Sequence, residues 1–346
     1  MNKVSQLVCS IMICGLLFSC QTPKKDTSEK PVIEEVAKEP QGTIVTQDNF
    51  PRAYTNMRLA AVIKKAGGVN TFFEMPVPSS VPEEQFVVRM NRDTYYSVSV
   101  IDLSNGGAFV TIPKTDQYVS LQIVDENHET QPMIYGSGRH HINAKTSHAF
   151  VIVRALEDAA RRNLVIESRS AIPFEVKKWD MKSFKEIDAA GNIDFSDGYD
   201  QSKAFGNVES GQTPYMNYVG AAGGWGGAMV EDNIYQTSQY FENNACYEVT
   251  FKDPKDKSFW SATVYNGDGR MFNDIAHVSS EMNPVKNADG TYTIRFGCEG
   301  KPNNIPILEG NTTGKFNVLI RHYNPSEQVT KEEEGYDPSI LIKKVE

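Results

Sequence analysis

Apolar and polar positions alternate in short runs at residues 86–90, 95–101, 108–112, 118–124, 149–153 and 164–166, with turn signals such as Asn105-Gly106-Gly107 and Gly136-Ser137-Gly138 between them. A side-chain period of two, broken by glycine and asparagine, predicts an antiparallel β-sandwich. The pattern returns at 246–251, 259–265, 291–296 and 316–323, where Trp260, Ala262 and Val264 alternate with Ser261, Thr263 and Tyr265. That predicts a second half-buried antiparallel module. Ahead of the first run the period is helical: Asp48 or Asn49 offers an N-cap and Pro51 sits in the first turn. Phe50, Tyr54, Met57 and Ala61 share a face, and Gly67-Gly68 is the stop. From 157 to 243 neither period dominates. Trp179-Asp180 predicts a helix start, with Asp180 as cap and Trp179 packed on Phe184; 206–227 is glycine-rich, and 234–241 predicts a short helix.

The expected organisation is therefore an export signal over 1–19, a tether over 20–47 and a helix-plus-sandwich module over 48–156. A helical and irregular connector over 157–243 and a second sandwich over 244–346 complete it. Roughly 300 residues exceed one comfortable core, which favours two modules.

The start of the chain carries Lys3, an apolar run over 7–18, and Leu17-Phe18-Ser19-Cys20. The run is too short for a spanning helix and suits a cleaved signal. Leu-x-Ser-Cys resembles the bacterial lipobox, which implies a lipid anchor at Cys20. Gln21, rather than Asp, favours the outer membrane by the usual lipoprotein sorting rule. Residues 21–47 are rich in Lys, Glu, Thr and Pro and bury too little surface to fold alone. A membrane, through Cys20, is thus an expected partner. The formal net charge is −9 with no basic stripe, so nucleic acid is not expected as a partner. Of five cysteines, Cys9 and Cys14 leave with the signal and Cys20 is acylated, leaving Cys246 and Cys298. These predict either one disulfide or two separately buried thiols. There is no Cys-x-x-Cys.

The order of motifs resembles the bacterial DUF 1254 and DUF 1214 tandem, two domains of unknown function in one chain. In the first module the resemblance rests on Arg89-Met90-Asn91-Arg92-Asp93-Thr94-Tyr95-Tyr96-Ser97, Tyr118-Val119-Ser120 leading to His128, Gly138-Arg139-His140 and Ile152-Val153-Arg154. In the second it rests on Ala222-Gly223-Gly224-Trp225-Gly226-Gly227, the run from Phe259 to Asn266, Asn287-Ala288-Asp289-Gly290 and Phe316-Asn317-Val318-Leu319. It implies a mainly β chain: an Ig-like β-sandwich, a helical connector, then a jelly-roll-like β-sandwich. Two departures stand out. Relatives have Asp-His-Tyr where this chain has Asn127-His128-Glu129, and Gly-Trp-Asn where it has Gly314-Lys315-Phe316-Asn317.

Candidate chemistry centres on residues 91–99. Asn91, Asp93, Tyr95, Ser97 and Ser99 share one strand face, while Tyr96, Val98 and Val100 share the other, expected to enter a core. If 118–124 pairs with 95–101, then Tyr118, Ser120, Gln122 and His128 join the polar face. Asp93, Tyr95 and His128 then converge as a catalytic acid/base group, because a carboxylate orients an imidazole or raises its pKa. Asn91, Arg92, Ser97, Gln122 and His140 would position a substrate, with Trp225 and Glu231 in a crevice between modules. The competing expectation is a polar network, with Asn91 and Asp93 capping a turn and Trp225 plugging the joint. No cofactor is evident. His128, His140, His141 and His148 supply donors for a divalent metal, but no His-x-His cupin signature or His-Glu-x-x-His accompanies them. No Gly-x-Ser-x-Gly elbow or phosphate loop is present. The residues point to an anchored envelope protein that binds a small organic or carbohydrate-like molecule, and possesses groups to hydrolyse or otherwise modify it. The alternative is a non-catalytic binding or assembly module.

Overall fold

Six strands of four residues or more form the first module in the computed structural model, which describes residues 42–77, 80–85, 89–196 and 200–345. The expected signal, Cys20, most of the tether and most of the run at 86–90 lie outside the described residues. The strands are β1 Tyr95–Asp102, β2 Ala108–Ile112, β3 Val119–Asp125, β4 Gly138–Ile142, β5 His148–Ala155 and β6 Val165–Ser168. In the main sheet β5 lies between β1 and β3, antiparallel to both. The order β4-β2-β6 makes the second sheet. Val110, Ile112, Leu121, Ile123, Val151 and Val153 pack between them.

The main sheet is covered on both faces. Ser97 pairs with Val153 and Ser99 with Val151, so these serines point into the sandwich core. Val98, Val100, Val124, Phe150 and Ile152 point the other way, where helix α1 (Phe50–Ala66) covers them with Leu59, Val62 and Ile63. The strand face that the residue pattern assigned to solvent or a site is therefore the sandwich interior. The apolar face meets a helix instead. Gly67, at φ 84°, ends α1 in the left-handed conformation that glycine adopts without a Cβ penalty.

Helices α2 (Met181–Ser196) and α3 (Pro214–Gly224) build the connector against α1, with Phe50 stacked on Phe184 at 5.1 Å and edge-on to Tyr218 at 5.5 Å. Asp180 Oδ1 accepts the Ser183 N–H at 2.8 Å, and Trp179 shares a cluster with Phe184, as the cap and staple reading anticipates. Order begins before residue 48, since Thr43 bridges to Trp179 and Val45 is buried.

The strands of three or more residues in the second module are β7 Asn233–Thr237, β8 Tyr247–Phe251, β9 Phe259–Asn266, β10 His277–Ser279, β11 Tyr292–Phe296 and β12 Lys315–Tyr323. β12 lies between β7 and β9, and β10 flanks β9, all antiparallel. The short helix expected over 234–241 is thus corrected: its residues pair with β12 as a strand, because Ile234 and Gln236 gain ladder partners in His322 and Ile320. The module accordingly starts before residue 244. Trp260, Ala262, Val264, Phe316, Val318 and Ile320 face Val249, Phe251, Ile294 and Phe296 of the β8–β11 sheet. Cys246 and Cys298 form a disulfide, which decides between the two alternatives left by the sequence.

Candidate functional site

The outer face of the β9–β12 sheet carries Ser261, Thr263, Tyr265, Arg321 and Tyr323, and residues 89–93 of the first module lie across it. Tyr265 donates its hydroxyl to the Met90 carbonyl at 2.7 Å. Arg321 donates to Thr263 Oγ1 (3.1 Å), the Tyr265 hydroxyl (2.7 Å) and the Arg89 carbonyl (3.0 Å). Asp93 Oδ2 accepts the hydroxyls of Ser261 at 2.5 Å and Tyr323 at 2.8 Å. Asn91 folds a tight turn, accepting the Asp93 N–H at 2.7 Å and donating Nδ2 to the Tyr323 hydroxyl at 2.5 Å. The polar motif is the joint between the modules.

Only half of the Asp93 carboxylate is used there. Its side chain is 1% exposed, yet Oδ1 has no hydrogen-bond partner. His277, on β10, places Nε2 3.9 Å away and keeps 20% of its side chain exposed, while its Nδ1 also lacks a partner. Asp93 thus meets a histidine, but from the other module.

The expected convergence of Asp93 and Tyr95 with His128 does not occur, because β5 separates β1 from β3. His128 sits in the turn after β3 at φ 64°, fully buried. Its Nε2 accepts the Gly226 N–H at 2.9 Å, so Nδ1 carries the proton and donates to Asn217 Oδ1 at 2.7 Å. Burial holds its pKa down at about 4, which keeps the ring neutral. It ties the connector to the first module.

Tyr95 points away from the joint and lies over Arg161, 5.3 Å from ring centroid to guanidinium carbon. Ser97 is buried and donates to the Arg161 carbonyl at 2.9 Å. Gln122 donates to the carbonyls of Gly226 (3.1 Å) and Gly227 (2.9 Å). Trp225 gives its indole N–H to Thr55 at 2.9 Å and packs on Phe150 at 5.2 Å, filling the seam between connector, α1 and β5. Arg92 borders the joint, 3.7 Å from Asp274. His140 lies on β4 of the far sheet, 2.9 Å from the Gly136 carbonyl, and Glu231 is exposed beside Lys257. His148 bonds the Ile172 carbonyl at 2.8 Å. Among the described residues no three His, Cys, Asp or Glu side chains converge as a metal site would require.

Two groups at the joint escaped the sequence reading. His277 is far from Asp93 along the chain, and nothing in its local pattern marks it. Arg154 did leave a signal: it is the one cation inside the otherwise apolar stretch Ala149–Ala155. It pairs laterally with Tyr96 on one side and Ser120 on the other, facing the joint.

Two family models match the chain: a protein of unknown function, DUF1254, over residues 69–154, and a protein of unknown function, DUF1214, over 231–327. Among solved structures, the VPA0106 protein from Vibrio parahaemolyticus superposes with a TM-score of 0.63 at 14% identity, covering 87% of this chain and 100% of that one. An uncharacterised protein from Burkholderia cenocepacia follows with a TM-score of 0.49 at 14% identity, covering 81% and 85%. No curated protein matches the chain. The likeness to the Vibrio protein supports the mainly β sandwich architecture and carries no activity with it. No helix among the described residues is long and apolar enough to cross a membrane.

Proposed function

Because this chain is a DUF1254 module followed by a DUF1214 module, we propose that the two act together, as a small-molecule site built at their joint in a protein anchored to the cell envelope. The observation that carries this reading is Asp93 Oδ1, buried and without a hydrogen-bond partner, 3.9 Å from His277 Nε2. Leaving such an acceptor unsatisfied costs about 1–3 kcal/mol. A hydroxyl-bearing, carbohydrate-like molecule entering beside the partly exposed His277 would supply the missing donor. Anchoring is supported by the lipobox-like Leu17-Phe18-Ser19-Cys20, and Gln21 supports the outer membrane as its destination.

The same pair supports hydrolysis. His277 Nε2 takes a proton from water; the hydroxide adds to an electrophilic carbon of the substrate, the bond from that carbon to the leaving group breaks, and the proton passes from Nε2 to the leaving group. The present 3.9 Å separation is beyond a hydrogen bond. Catalytic hydrogen bonds commonly tighten only when a ligand is bound.

A non-catalytic joint is the second reading, supported by the two hydroxyls, Ser261 and Tyr323, that Asp93 Oδ2 already accepts. Assaying the wild type, Asp93→Asn and His277→Gln on p-nitrophenyl esters and glycosides separates the two. The hydrolytic reading expects cleavage that falls at least about 100-fold in both variants while both remain folded. No cleavage by the wild type, or full activity in either variant, contradicts it.

A further inference from the structure

We propose that Arg154 is the anchor for the carboxylate of a small organic acid bound at the joint. Arg154 is 8% exposed, and its guanidinium makes no hydrogen bond to any described residue; Nη1 is completely enclosed without a partner. Buried arginines are normally paired, since desolvating an unpaired charge costs several kcal/mol. The neighbouring Arg321 illustrates the usual outcome, with its donors spent on Thr263, Tyr265 and the Arg89 carbonyl.

Among the described residues no carboxylate lies within ion-pair distance of Arg154. Its electrostatic neighbours are the phenols of Tyr96, Tyr118, Tyr235 and Tyr323, with the Tyr96 ring centroid 5.6 Å from the guanidinium carbon. Burial pushes the hydroxyls of Tyr118, Tyr235 and Tyr323 above the ordinary phenol range, so they stay neutral. The Tyr118 hydroxyl is engaged with Ser120 at 2.7 Å, and that of Tyr323 with Asp93. Asp232 is within electrostatic reach, but its oxygens accept the Tyr135 hydroxyl and the Met133 N–H, both at 2.9 Å. What remains is one unspent positive charge among tyrosines of which Tyr96, Tyr118 and Tyr235 are only half-buried.

That chemistry selects the ligand class. A planar guanidinium fork fits a carboxylate through two parallel hydrogen bonds, and tyrosine faces accept a flat or hydrocarbon body. A phosphate dianion would ask for a second free cation, which Arg321 does not supply. The inference shares with the preceding reading the premise that the joint admits a ligand, but it rests on a different side chain and needs no turnover.

The test is calorimetric titration of the full chain with benzoate, with benzamide and inorganic phosphate as controls, on the wild type, Arg154→Met and Arg139→Met, the last removing an exposed cation of the far sheet that pairs with Glu167. Saturable binding of benzoate alone is expected, weakened at least about tenfold in Arg154→Met, or about 1.4 kcal/mol, and kept in Arg139→Met. Unliganded Arg154→Met should melt at or above the wild-type temperature, because an unpaired buried charge has been removed. Benzoate binding by a wild type that cleaves no ester or glycoside would sink the hydrolytic reading and leave this one standing. The proposal is overturned if the wild type does not bind benzoate, if Arg154→Met binds it equally well, or if that variant melts lower or fails to fold.

Discussion

Tyr323 donates its hydroxyl to Asp93 Oδ2 at 2.8 Å across the joint between the modules, and the same oxygen of Tyr323 accepts Asn91 Nδ2 at 2.5 Å. One phenol therefore satisfies a carboxylate and an amide from the other module. Tyr323→Phe should cost about 1–3 kcal/mol in urea unfolding, since it leaves Asn91 Nδ2 without its acceptor and Asp93 Oδ2 with Ser261 alone. In a double-mutant cycle with Asp93→Asn the coupling should be about 1 kcal/mol. Additive effects would mean that the bond does not hold the modules together.

Arg321 and Arg154 face the same joint with opposite expectations. Arg321→Met removes three hydrogen bonds from a buried position and should lower stability by about 3–5 kcal/mol. Thermal melting of the variant beside Arg154→Met reads the contrast. Equal effects of the two substitutions would contradict the assignment of one arginine to structure and the other to a ligand.

His128 and Asp125, at the same turn, should pull stability in opposite directions with pH. Burial lowers the His128 pKa from 6.5 to about 4, so the unfolded chain binds the proton first; this contribution is present above 6.5 and lost as pH falls toward 4. Burial raises Asp125 from 3.8 to about 6, so its contribution is present below 3.8 and lost as pH rises through 6. Each spans about 3 kcal/mol. Relative to the wild type, His128→Asn should gain stability as pH drops from 6.5 to 4, and Asp125→Asn as pH climbs from 4 to 6. Asparagine tolerates the left-handed backbone at 128. Chemical denaturation across that range checks both signs.

The Cys246–Cys298 disulfide closes a separation of 52 residues around the β8–β11 sheet. Chain-entropy arguments give about 4 kcal/mol for a loop of that length. Cys298→Ser should lower the urea midpoint accordingly, and hydrogen exchange should show the loss in the second module first. A variant as stable as the wild type would place the stabilisation elsewhere.

Much of the architecture was legible in periodicity. The strand runs at 95–101, 149–153 and 259–265, the helix with Pro51 in its first turn and Gly67 at its stop, and the Asp180 cap all follow from local chemistry; the side chain of Asn49, at the N-cap position, accepts the Thr46 N–H instead of capping the helix. Alternation also separated Ser97 and Ser99 from Val98 and Val100 correctly, but it could not say what covers each face. A period of two looks the same whether the apolar side meets a second sheet or a helix, and here α1 took it. The site was less legible, because strand order is non-local. Inserting β5 between β1 and β3 parts Asp93 from His128, while residues 89–93 cross to the other module, where His277 and Tyr323 wait. Asp93 and Asn91 both lie at the joint. Arg154 stood in plain view as a cation within an apolar strand.

Soaking crystals of the full chain with a library of small carboxylic acids and sugars addresses the central claim most directly. The account predicts bound molecules at the joint, with a carboxylate on Arg154 or a hydroxyl on Asp93 Oδ1 beside His277. Ligands found only in the surface hollow of about 330 Å³ beside Glu231 and Lys257, or only in the one of about 310 Å³ beside Asn70 and Arg161, would contradict it.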